Sequence, residues 1–186
     1  MTYVLVHGAT FDGSCWDLLL PHLDGPAIAV DLPGRGSRPA DLTQVTIQDF
    51  VDVVVDEIEC RDLHDVVLVG HPLAGITLPG VAAPEDWARA AFCNDMDDDL
   101  TSWTLAHMGP EAAGVMTEPV DIRGLDSVVP RTWVLTLHDA VVDVERQLLY
   151  AHRARAEVIE LDAAHMAMIS RPEQLAMVLG SLVGPR

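Results

Sequence analysis

The sequence predicts an α/β protein, with a mostly parallel sheet of about six strands and helices on both faces. Three observations predict it. Short apolar runs alternate with segments of helical periodicity, the pattern of strands joined by crossover helices. Most of the apolar runs stop at a turn rich in glycine, proline or acid. Hydrophobic residues make up 49% of 186, enough to bury a sizeable core in one domain, 1–186, with little left for a second.

The elements follow in order. Tyr3 to Val6 is a buried-strand run that ends at His7-Gly8. Cys15 to Leu23 reads as a short helix, broken at Asp24-Gly25-Pro26. Ala27 to Leu32 is a second strand, stopped by Pro33-Gly34-Arg35-Gly36. Thr46 is an N-cap ahead of Ile47, Phe50, Val51, Val54, Val55 and Ile58, which fall near helical spacing. Val66 to Val69 is a third strand, running into Gly70-His71-Pro72-Leu73-Ala74-Gly75. Ala88 to Phe92, Trp133 to Leu137 and Glu157 to Leu161 read as the last three strands. Val144 to Arg155 and Pro172 to Leu182 carry helical patterns. Met96 to Pro130 breaks the rhythm and reads as a small lid or a loose excursion.

Composition narrows the function. A net charge of −18 with pI near 4.5 opposes nucleic acid and anionic membranes, so neither is expected as a partner. All the basic residues are arginine. The absence of lysine excludes a Schiff-base lysine, a pyridoxal-phosphate lysine and a P-loop lysine. Cys15, Cys60 and Cys93 are widely spaced and include no CxxC, which reads as a reduced, cytoplasmic chain. The N-terminus lacks the basic start and long apolar run of a signal peptide, and no window reads as a membrane span.

In parallel sheets ligands bind beyond the carboxyl ends of the strands. The segments found there resemble the α/β-hydrolase superfamily, in its hydroxynitrile-lyase and plant-methylesterase-like branch. Val4-Leu5-Val6-His7-Gly8-Ala9 with Gly13-Ser14-Cys15-Trp16 is similar to the oxyanion-hole loop. Asp31-Leu32-Pro33-Gly34-Arg35-Gly36-Ser37 resembles the turn after the next strand. Val67 to Gly75 occupies the place of the nucleophile elbow. His138-Asp139, Gln147 and Ala164-His165-Met166 fall where the family keeps its acid and histidine. The resemblance covers the chain except for about residues 97–130, where family members insert a larger cap; here that segment implies a much reduced cap.

The elbow departs from Gly-x-Ser-x-Gly. Pro72 stands at the serine position, with no hydroxyl, thiol or carboxylate to form a covalent intermediate. Proline also fixes φ near −65°, so the strained elbow geometry is not expected, and the Leu73 N–H, which the resemblance makes half of an oxyanion hole, either keeps that role or points elsewhere. What remains is Asp139 and His165. A carboxylate held on one imidazole nitrogen fixes the tautomer and raises the basicity of the other, which makes a general base. Ala9 or Thr10 would supply an N–H to a developing oxyanion, with the Thr10 hydroxyl as a second donor.

The resemblance therefore implies a cofactor-free, non-hydrolytic enzyme of lyase, cyclase or isomerase type acting on a small molecule, with no metal. The alternatives are hydrolysis of a reactive ester or lactone by His165-activated water, and a silent binding protein. Phe11, Cys93 and Met166 are pocket-wall candidates, although a buried cysteine at a strand end is more often simple packing. Asn94 and Asp95 line the pocket or cap a helix. His7 and His71 brace backbone turns, and Asp97-Asp98-Asp99 is a solvated run rather than a cation site. The short cap leaves the pocket open, covered by a second copy in a homodimer, or suited to a large flat, polyketide-like substrate against Trp103, Leu105, Met108 and Met116.

Overall fold

The computed structural model describes residues 1–72, 84–112 and 114–183. Its strands run in parallel in two sheets. In the first, β1 (Thr2–Val6) lies between β2 (Ala27–Val30) and β3 (Val66–Gly70). In the second, β4 (Thr132–Thr136) pairs with β5 (Glu157–Leu161). β1 is central because both its edges are bonded, and Val4 and Leu5 are completely buried. The chain has the α/β-hydrolase fold that its strand ends resemble.

The 47–60 segment folds as the periodicity predicts. Helix α1 (Ile47–Cys60) opens with a capping box in which Thr46 and Asp49 exchange side-chain and backbone hydrogen bonds. Ile47, Phe50, Val54 and Ile58 face inward, whereas Val51 and Val55 point to solvent. The Cys15–Leu23 stretch is not one helix. It forms two short 3-10 turns, Gly13–Trp16 and Leu20–His22. Pro21 lacks the N–H that a continuous α-helix would need there.

The strand expected at Ala88–Phe92 is a helix instead, α2 (Glu85–Phe92). The segment holds no β-branched residue, and its alanine, arginine and glutamate favour helix. Ala88, Ala91 and Phe92 form one buried face at helical spacing, with Glu85 and Asp86 in the first turn and Arg89 in the last. With that strand replaced, β3 and β4 share no ladder among the described residues. Side chains join the two sheets instead: Tyr3 and Leu5 of β1 and Leu161 of β5 share one core with Phe11, Trp16, Phe92 and Met166.

Within 97–130 the chain forms α3 (Asp98–Ala106) and 3-10 turns at Gly114–Met116 and Arg123–Asp126. Asp97 caps α3 by accepting the Leu100 N–H. Trp103, Leu105 and Met108 pack, partly buried, against the main core. The remaining helices are α4 (Val144–Arg153), α5 (Ala167–Ser170) and α6 (Pro172–Ser181). Among the described residues, no helix is long and apolar enough to cross a membrane.

Candidate active site

The loop after β1 is fixed by a histidine. His7 Nδ1–H donates to the Gly8 carbonyl at 2.8 Å and Nε2 accepts the Leu32 N–H at 3.1 Å, so its tautomer is set by its partners. Burial lowers its pKa and keeps it neutral. Gly8 is required by close approach. A Cβ there would lie 2.4 Å from both His71 Nδ1 and the Pro72 carbonyl oxygen.

Ala9 is buried, and Thr10 adopts a left-handed conformation with φ 68°. For a β-branched residue this is a strained backbone, held here from two sides. The Thr10 N–H donates to Glu111 Oε2 at 2.9 Å, and its carbonyl accepts the Gly109 N–H at 2.7 Å. The expectation that this N–H is open to an oxyanion is therefore corrected: Glu111 already holds it. The Thr10 hydroxyl is buried and has no partner among the described residues, so it remains a donor candidate.

Glu111 is itself paired with Arg35, Nη2 to Oε1 at 2.6 Å, and both side chains are at most 5% exposed. Neither was distinguishable in the sequence, because each is an isolated charge in an irregular segment with no periodic partner. Leu73 lies outside the described residues. Pro72 follows β3 by two residues and is exposed. The non-glycine residues with left-handed backbone, among those described, are Thr10, Asp62 and Arg155, so Pro72 does not take the elbow conformation.

The acid and the histidine are brought together. Asp139 follows β4, and its Oδ1 accepts the N–H groups of Val141 and Val142, both at 2.8 Å. Its Oδ2 accepts the Thr136 hydroxyl at 3.0 Å and His165 Nδ1–H at 2.9 Å. Burial alone would raise the Asp139 pKa, but the bonds from His165, Val142 and Val141 hold it below the ordinary carboxylate value. Gln147 of α4 fixes the turn, donating to the carbonyls of Thr136 and Val142 and accepting the Thr136 N–H.

His165 is 3% exposed, and its Nε2 is buried with no partner among the described residues. His71 packs on it with ring centroids 4.6 Å apart and donates Nε2–H to the His165 carbonyl at 3.0 Å. Burial, with a further contribution from His165, pushes the His71 pKa down to about 3. His71 is therefore a neutral brace at neutral pH.

Of the pocket-wall candidates, Phe11 meets Phe92 edge-on at 5.7 Å, and Phe92 lies 5.5 Å from the His165 ring. Met166 is fully buried. Cys93 ends α2 rather than a strand, and burial raises its pKa, which disfavours a thiolate nucleophile. Surface cavities of about 430 and 520 Å³ lie around Asp41–Asp52 and around Asp24–Gly180, and neither is lined by Asp139 or His165.

A parallel sheet with an acid and a histidine beyond adjacent strand ends fits the α/β-hydrolase fold. Residues 3–93, just under half of the chain, match the alpha/beta hydrolase family. The chain is 30% identical over 131 residues to the (E)-2-((N-methylformamido)methylene)succinate hydrolase of Acinetobacter baylyi, covering 68% of this chain and 48% of that protein. It is 33% identical over 122 residues to a carbendazim hydrolyzing esterase of a Nocardioides species, covering 60% and 50%. The chain thus spans about half the length of these curated relatives. Among solved structures, an extracellular alpha/beta-hydrolase from a Paenibacillus species superposes with a TM-score of 0.85 at 18% identity, covering 97% of this chain and 98% of that one. A methylesterase from Arabidopsis superposes at 0.81 with 21% identity, covering 98% of each. At such identities the structures speak for the fold alone.

Proposed function

We propose that this chain catalyses proton transfer on a small-molecule substrate, with His165 as the base and Asp139 as the acid that orients it. The observation that carries the reading is His165 Nε2, a buried ring nitrogen with no partner among the described residues, on an imidazole whose Nδ1 is fixed to Asp139 at 2.9 Å. Such a pair works as a general base without a serine. Pro72 stands where the resemblance puts the nucleophile and offers no attacking atom.

The Thr10 N–H is taken by Glu111, which weakens the case for an acyl-transfer oxyanion hole. Both features favour a lyase, cyclase or isomerase. Nε2 removes a proton from an acidic C–H or O–H. The electron pair left behind enters the bond that forms or expels the group that leaves, and Nε2–H returns the proton. The scheme calls on no cofactor or metal. On this reading 97–130 is a reduced cap within one domain, and a second copy would cover the site.

The relatives favour a second reading, since those matched in sequence are named as a hydrolase and an esterase. In that reading His165 takes a proton from water, the resulting hydroxide attacks an activated ester or lactone, and Nε2–H protonates the departing alcohol.

The test is a panel of p-nitrophenyl esters, lactones, cyanohydrins and β-keto acids, followed by product analysis and by deuterium uptake from D2O. Turnover or exchange that falls about 10²–10⁴-fold in His165→Ala supports the base. Activity unchanged in that variant ends the proposal. Product formed only from esters and lactones selects the hydrolytic reading. Covalent labelling by a fluorophosphonate probe would place a nucleophile elsewhere and overturn both.

A further inference from the structure

We propose that the Asn94–Asp95 turn is a positioning element for the acid–base pair, gripping the two loops that carry it immediately before Asp139 and His165. The inference rests on reading those two residues as the proton-transfer machinery. The turn follows α2 and is closed by the Met96 N–H donating to the Cys93 carbonyl at 3.1 Å.

From it the two side chains diverge. Asn94 Nδ2 donates to the His138 carbonyl at 2.8 Å, which belongs to the peptide joining His138 to Asp139. Asp95 Oδ2 accepts the N–H of Ala164, the residue before His165, at 3.0 Å. The same oxygen accepts the Ser170 hydroxyl at 2.8 Å, and Arg171 Nη2 lies 3.9 Å away. These contacts cross 44 and 69 residues of sequence.

The gripped loops are already one unit. The β4–β5 ladder continues beyond the strands through Leu137 N–H to the Leu161 carbonyl and His138 N–H to the Ala163 carbonyl, both at 3.0 Å. That ladder fixes the loops relative to each other along the strands. Its hydrogen bonds also set their spacing within the sheet, and Asn94 and Asp95 add contacts to both loops from the turn after α2. The Asp139–His165 bond, 2.9 Å long, joins the same two loops, so a turn that holds the residue before each partner bears on the alignment of that bond. A purely structural role for Asp95 would lower stability and leave the bond in the folded molecules untouched.

Asp95 Oδ1 is buried without a partner among the described residues. A buried carboxylate satisfied on one oxygen is costly to keep for packing alone.

The experiment observes the His165 Nδ1 proton directly. Proton NMR spectra of the wild type should show a far-downfield imidazole resonance that disappears in Asp139→Asn. Exchange of that proton with water is then measured in Asp95→Ala, Asp95→Asn and Asn94→Ala, below each melting temperature. Asp95→Ala should speed exchange about 10-fold or lose the resonance, while Asp95→Asn keeps an acceptor for Ala164 and restores it. Asn94 is exposed and its loss leaves the core intact, so Asn94→Ala should fold and speed exchange about threefold.

Wild-type exchange in both alanine variants, or in Asn94→Ala alone if Asp95→Ala does not fold, overturns the proposal. A wild type with no Asp139-dependent resonance is a different failure. It would remove the acid–base reading beneath the proposal.

Discussion

His71 shows how one buried side chain links the site to pH. Its Nδ1 is buried against Gly8, and its Nε2 proton is committed to the His165 carbonyl. The folded pKa of about 3 lies below the ordinary value of 6.5. Between those limits the unfolded chain binds a proton here that the folded chain does not, so stability falls as pH drops through that window. Asp139 adds to the loss only lower down. Its stabilisation is present above the ordinary carboxylate value and disappears as pH falls through the depressed folded one. His71→Gln, whose amide can still donate to His165, should therefore flatten the upper part of the acid limb. Denaturant unfolding of both proteins from pH 7 to pH 4 measures this, and parallel curves would refute it. The neighbouring glycine gives a second prediction. Gly8→Ala puts a methyl group against a backbone carbonyl that cannot swing away, which should cost about 1–3 kcal/mol in the same assay. Asp139 and His165 could be read from the sequence because they fall beyond strand-like runs at the places where the resemblance puts an acid and a histidine. The Arg35–Glu111 pair could not, because burial of a lone charge leaves no trace in local pattern.

Elements with a clean period were legible and those without it were not. The strands at 3–6, 66–69 and 157–161 and the capped helix from Ile47 match their apolar patterns closely. Ala88–Phe92 failed because four apolar residues in five fit a strand or one buried helix face equally well, and the signals for helix are Glu85 and Asp86 before the run and Arg89 within it. The segment around Glu111 has no period at all, yet it is tied to the end of β1. Thr10 is held at both its backbone groups by Gly109 and Glu111, and Arg35 neutralises the carboxylate inside the protein. Removing one member of such a pair strands the other charge. Glu111→Ala should destabilise the protein by about 3–5 kcal/mol, and replacing Arg35 and Glu111 together by Met and Leu should recover most of the loss. Equilibrium unfolding of the two variants checks this. A loss below about 1 kcal/mol for the single change would mean the pair does not organise the loop.

Among the described residues the two sheets are joined through side chains, where most doubly wound sheets are joined through a continuous ladder. The backbone of β1 is bonded on both edges, whereas β3, β4 and β5 each have one ladder among the described residues. Coverage follows the same order. Val4 and Leu5 are completely buried, Leu68 of β3 is 58% exposed, and Val158 of β5 is 42% exposed. Two-stranded sheets are marginal alone, so β4 and β5 depend on the shared core at Leu161, with Val134 packed against it, and on α4 and α6. Opening β4 and β5 disrupts that core only at its edge, but opening β1 disrupts it through the centre. Amide hydrogen exchange should therefore find β1 protected up to the global unfolding free energy, with β4 and β5 exchanging through a smaller opening. The order matters for the site because Asp139 and His165 both lie beyond the less protected pair. Disturbances that open β4–β5 should separate the acid from the base before the fold is lost, and activity should disappear at lower denaturant than the far-ultraviolet signal. Coincident loss of activity and helix signal, together with equal protection in the two sheets, would show instead that the core couples them into one cooperative unit.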